Sequence, residues 1–109
     1  MKPGNRNPLR MIIVTGHLRL RPEDMERARP HMATVLAANR KEDGCLLFAF
    51  GEDVLEPGLI RIVEHWRDAE ALAAHGRQPH VLAWRRILAE IGVMERDLVA
   101  HDAANGRPA

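Results

Sequence analysis

The sequence predicts an α+β domain of the ferredoxin-like kind, in the order βαββαβ with an antiparallel sheet and its helices on one face. Three observations predict it. Short runs rich in β-branched and apolar residues fall near 11–20, 45–50 and 59–66, and a more polar one covers 93–101. Helical periodicity fills the gap after the first run and the gap after the third. The second and third runs are separated only by a short segment containing Pro57 and Gly58, which is hairpin chemistry. A chain of 109 residues, 46% apolar and 28% charged, has room for one such domain and one modest core.

The first strand opens with Met11, Ile12, Ile13 and Val14, apolar on both faces, which suits a central place in the sheet. Pro22, Glu23 and Asp24 then start a helix, since proline fits a first turn and acids fit the positive end of the helix dipole. Met25, Ala28, Met32, Val35 and Leu36 follow as one apolar stripe. Pro30 falls within that stripe and is expected to kink the helix without ending it.

Asp43 and Gly44 close the segment and Cys45 begins the second strand. After the third strand, Asp68 is placed to N-cap a short helix carrying Leu72 and His75, with Gly76 as its stop. Pro79 restarts the helix, and Val81, Trp84, Ile87, Leu88 and Ile91 form its buried stripe up to Gly92. The domain spans residues 10–101 on this reading, with flexible termini at 1–9 and 102–109.

Composition narrows the function. Sixteen Lys and Arg against 15 Asp and Glu, with no basic run, argue against nucleic acid as a partner. A single cysteine makes no internal disulfide, no stretch is long and apolar enough for a membrane span, and no apolar segment follows the polar N-terminus as a secretion signal would. A cytoplasmic protein is the expectation. There is no tyrosine, which excludes a phenol as a catalytic group. A sheet with helices on one side leaves Ile13, Val63 and their neighbours on the bare face, so a homodimer formed through that face is expected.

The third strand and the following helix read Ile62, Val63, Glu64, His65, Trp66, then Ala71, Leu72, His75, Pro79 and His80. This resembles the signature of the antibiotic biosynthesis monooxygenase (ABM) domain family, in which an acid-x-Trp strand end leads to an Ala-Leu-x-x-His helix and a Pro-His pair. Gly44 with Cys45, and the turn from Glu52 to Gly58, resemble the same family's strand start and hairpin loop. The likeness covers residues 11–101. It implies a dimeric α+β barrel with a small pocket between sheet and helices in each subunit. Its members include oxygenases acting on quinols or polycyclic phenols without metal or organic cofactor, haem-degrading enzymes and isomerases of small carbonyl compounds. Haem-degrading relatives carry an Asn where this chain has His17 and a helical His near Trp84 and Arg85; neither is present here.

The function expected is a cofactor-independent monooxygenase taking a small aromatic, quinol-like or polyphenolic substrate and O2. Its alternatives are an isomerase or haem-handling protein on the same fold, and a non-catalytic binding dimer. His17 or His80 is the expected base, with Trp66 beside it and Trp84, Glu64, Phe48 and Met32 around the substrate. Plainer readings stand beside these: His17 as a strand or dimer-seam histidine, Trp66 and Met32 as core, and Glu64 as a buried carboxylate with a structural partner. His75 and His80 do not share a helix face at i,i+4 spacing, and no metal site is expected.

Overall fold

The computed structural model describes residues 10–109, so the expected flexibility at 1–9 lies outside the described residues. Its elements are β1 (Met11–Arg19), a 3-10 turn (Pro22–Asp24), α1 (Met25–Asn39), β2 (Cys45–Glu52), β3 (Leu59–Trp66), α2 (Ala69–His75), α3 (Pro79–Ile91) and β4 (Glu95–Ala103). The four strands form one antiparallel sheet in the order β2-β3-β1-β4, the ferredoxin-like topology. The fold class expected from the sequence is the one observed.

Register settles which side chains face the helices. Ile12 pairs with Trp66 and Val14 with Glu64, while Phe48 pairs with Glu64 from the other side. With the alternation of a pleated strand, Ile12, Val14 and Leu18 point to the helical layer together with Ile60, Ile62 and Trp66. The opposite parity, Ile13, Thr15 and His17 with Val63 and His65, lies on the outer face. The core between sheet and helices takes Met25, Ala28, Met32 and Val35 from α1 and Trp84, Leu88 and Ile91 from α3.

The capping chemistry of the sequence is present. Asp68 accepts a hydrogen bond from the Ala71 backbone N–H at 2.9 Å and starts α2. Pro79 occupies the first turn of α3. α1 runs unbroken through Pro30, as expected, and buries Asn39 in its last turn, which the apolar stripe did not indicate. β4 begins at Glu95 rather than Val93, and Val93 and Met94 are exposed connectors. It also continues to Ala103, because Asp102 and Ala103 pair with Ile12 and Met11. The boundary expected at residue 101 therefore cuts the strand two residues early.

Candidate functional site

A cavity of about 280 Å³ opens between the inner sheet face and the helices. Its floor is Val14 and Leu18 of β1, Phe48 and Phe50 of β2, Ile62 and Glu64 of β3, and Arg96, Leu98 and Ala100 of β4. Val35 and Asn39 of α1, Leu72 and His75 of α2, and Val81, Trp84, Arg85 and Leu88 of α3 close it. Most of this wall is apolar and aromatic: the Phe48 and Phe50 rings meet edge to face at 5.7 Å, and Phe50 lies 6.1 Å from Trp84.

Two buried polar residues interrupt the apolar wall. Glu64 is 5% exposed, and its Oε1 accepts the indole N–H of Trp66 at 2.8 Å. Burial pushes the Glu64 carboxyl above the usual carboxylate range, against the opposing pull of that hydrogen bond. Asn39 is 2% exposed, and its Oδ1 has no hydrogen-bond partner. A buried amide oxygen left without a donor costs free energy, and Asn39 is one of the residues that line the cavity. Arg85 and Arg96 are exposed side chains on the same lining and put positive charge at the mouth.

Of the residues singled out from the sequence, Phe48, Glu64 and Trp84 meet on this cavity. Trp66 is fully buried one layer behind, holding Glu64, and Met32 belongs to the core under α1. His17 is a correction. It is expected beside Trp66, yet β1 alternation puts it on the outer face, opposite Arg61, with its Nε2 3.4 Å from Glu95 Oε1. The parity was readable: Val14, Leu18 and Leu20 form the apolar series, and His17 is out of phase with it.

His80 is a second correction, since it does not share the cavity with Trp84. Its Nε2 lies 2.7 Å from Glu42 Oε2 on a separate, more polar cleft of about 510 Å³. The same oxygen lies 2.8 Å from His75 Nδ1. The His75 ring packs at a tilt 4.8 Å from Trp66 and 5.5 Å from Phe48, so it stands between cavity and cleft. Sequence spacing did not foresee this cluster. His75 ends α2, His80 begins α3, and Glu42, just past α1, brings them together only in three dimensions. Asn39 was hidden for a similar reason, as a polar residue in phase with an apolar stripe.

The profile of the antibiotic biosynthesis monooxygenase family matches residues 11–87, which takes in β1 through most of α3 and the Glu64, Trp66, His75 and His80 positions. The chain belongs to this family. Among solved structures, a candidate antibiotic biosynthesis monooxygenase from Deinococcus radiodurans is 30% identical and superposes with a TM-score of 0.84, covering 90% of this chain and 97% of that one. A conserved protein of unknown function from Bacteroides thetaiotaomicron is 26% identical with a TM-score of 0.77, covering 86% and 98%. An uncharacterised protein of Synechocystis is 30% identical over 69 residues, 63% of this chain and 47% of its own length. The chain thus matches about half the length of that curated relative. Among the described residues of this ABM domain, no helix is long and apolar enough to cross a membrane.

Proposed function

We propose that this ABM protein is a cofactor-independent monooxygenase acting on a one- or two-ring quinol-like phenol. The observation that carries the reading is the pair of buried polar groups, Asn39 and Glu64, on a largely apolar and aromatic cavity wall. A volume of about 280 Å³ lies at the small end for ligand pockets, which favours a small aromatic over a large polycycle.

In this reading the substrate ring packs against Phe50 and Trp84, and one hydroxyl donates to Asn39 Oδ1. Glu64 takes the phenolic proton. Its raised pKa makes it a stronger base than an exposed carboxylate, and Trp66 fixes its orientation. The resulting phenolate is electron-rich enough to pass an electron to O2. Recombination forms a C–O bond, and loss of water then leaves a quinone. The net change, a phenol with its ring C–H plus O2 giving a quinone plus water, balances without an external reductant. Arg85 and Arg96 at the mouth favour the anion, and the apolar wall keeps bulk water from the intermediates.

The protein works, on the same proposal, as a cytoplasmic homodimer. The outer sheet face carries Ile13, Ala49 and Val63 at its centre with exposed Leu47 and Val99 beside them, bordered by Thr15, His17, Arg61 and His65, and a second copy of the chain is the cover that fits that apolar centre. Sedimentation at micromolar concentration reads this directly, and a monomer would overturn it.

Oxygen uptake with a reduced naphthoquinone tests the chemistry. Wild type is expected to consume O2 faster than buffer, Glu64→Gln to lose about 100-fold or more in turnover, and Asn39→Ala to raise KM. Uptake by Glu64→Gln at the wild-type rate removes Glu64 as the base, and no uptake by any quinol of this size removes the reading.

A further inference from the structure

We propose that Glu42, His75 and His80 form a binding site for a divalent transition-metal ion, zinc in the first instance, at the boundary between the cavity and the outer cleft. The site is independent of the oxidation proposed above. Its three donor atoms, Glu42 Oε2, His75 Nδ1 and His80 Nε2, all lie within 4.8 Å of one another. Both imidazole nitrogens already point at one carboxylate oxygen, at 2.8 and 2.7 Å.

Two imidazoles and one carboxylate are the donor set of open zinc sites, in which three protein ligands leave a fourth position to water or an added ligand. Nitrogen donors of this softness select zinc, nickel or copper over magnesium and calcium, which take oxygen cages. Around a tetrahedral zinc, with bonds of about 2.0–2.2 Å, neighbouring donor atoms stand roughly 3.3 Å apart. The present nitrogen-to-oxygen separations are shorter, so the ion enters by an outward shift of about half an ångström in side chains that already converge.

The donors are held by more than their mutual contact. His75 packs at a tilt against the Trp66 and Phe48 rings, contacts that position it independently of Glu42. The Glu42 backbone is tied on both sides, its N–H donating to the Asn39 carbonyl and its own carbonyl accepting from Cys45 N–H, each at 3.1 Å. His80 sits in the first turn of α3, directly after Pro79. Glu42 and His80 both line the outer cleft, which supplies an entry route and room for the fourth ligand. A doubly charged ion with one carboxylate and two neutral imidazoles leaves a net single positive charge, on a cleft whose other charges balance, with Asp43 and Glu70 beside Lys41 and Arg67 and Asp43 paired to Arg67 at 3.3 Å.

The test is calorimetric titration of zinc chloride into the full chain after chelator treatment, at about neutral pH, with thermal melting in parallel. The expected result is one zinc per chain and a rise in Tm, because an ion that binds only the folded state stabilises it. Glu42→Gln and His80→Ala, substitutions that leave the His75 ring contacts in place, are expected to weaken zinc by about 100-fold or more and to abolish the Tm rise. A double variant of exposed histidines, His31→Ala with His101→Ala, is expected to bind as wild type does. Cobalt added to the wild-type chain gives a reading that needs no variant to fold: an intense visible band marks a low-symmetry three-ligand site. No zinc heat with the wild type, no cobalt band, unchanged affinity in both ligand variants, or loss of binding in the His31 and His101 variant would each overturn the proposal.

Discussion

The indole N–H of Trp66 donates at 2.8 Å to Oε1 of Glu64, two residues earlier on the same face of β3. The two side chains form one unit: the larger, fully buried ring fills the core and at the same time satisfies the carboxylate that the cavity exposes to a ligand. A tryptophan here is therefore a positioning group as well as packing. Phenylalanine would fill much of the volume and leave Glu64 without its donor.

The first prediction concerns that carboxylate and pH. Burial raises the folded-state pKa of Glu64, so the proton binds more tightly in the folded than in the unfolded chain. Stability from this group is full below the unfolded value of about 4.3 and is lost as pH rises through the raised folded value. Glu64→Gln, which keeps an acceptor for Trp66 and carries no charge, should be more stable than wild type at neutral pH and nearly equal at about pH 4. Urea unfolding at both values measures the difference. A variant less stable at neutral pH would show that the ionised carboxylate is held by partners stronger than Trp66.

Gly58 has φ +90°, and a Cβ there would overlap the Leu20 carbonyl oxygen, whose residue also donates its N–H to the Gly58 carbonyl at 2.9 Å. Gly58→Ala combines a left-handed backbone with that overlap and should cost about 2 kcal/mol. A midpoint in urea equal to wild type would mean that the β2–β3 turn relaxes freely.

Pro30 is exposed inside α1, and its ring nitrogen cannot donate to the Glu26 carbonyl. Pro30→Ala restores that bond while giving back some unfolded-chain entropy, so a gain of about 1–2 kcal/mol is expected. Loss of stability would assign Pro30 a packing role that its exposure gives no reason to expect.

Asp68 caps α2 through the Ala71 N–H. Asp68→Ala should cost about 1 kcal/mol, and Asp68→Asn should recover most of it, since asparagine caps nearly as well. Equal losses in both variants would show that charge, rather than the cap, is what matters at this position.

Much of the fold was legible because its signals are local. Asp68, Pro79 and Gly92 punctuate the helices where the chain bends, and the β-branched runs at Ile12 and Ile60 are strands. The site was less legible because it depends on phase and on distant pairings. His17 was misplaced by one step of strand alternation, the smallest error that reverses a face. His80 falls one turn before Trp84 on the same helix, but the loop after α1 carries Glu42 to it, and no spacing along the chain encodes that meeting. Asn39 sits in phase with Met32 and Val35, so its position marks it for the buried stripe and only its polarity hid it as part of the cavity wall.

β4 pairs with β1 alone and contributes Arg96, Leu98 and Ala100 to the cavity, so one side of the chamber is an edge strand. Edge strands are among the cheapest elements to detach, since opening them breaks a single ladder. That side of the chamber is nonetheless held along its whole length, since β4 pairs with β1 from Glu95 to Ala103 and the Met94 N–H to Arg19 carbonyl bond at 2.8 Å fixes its near end.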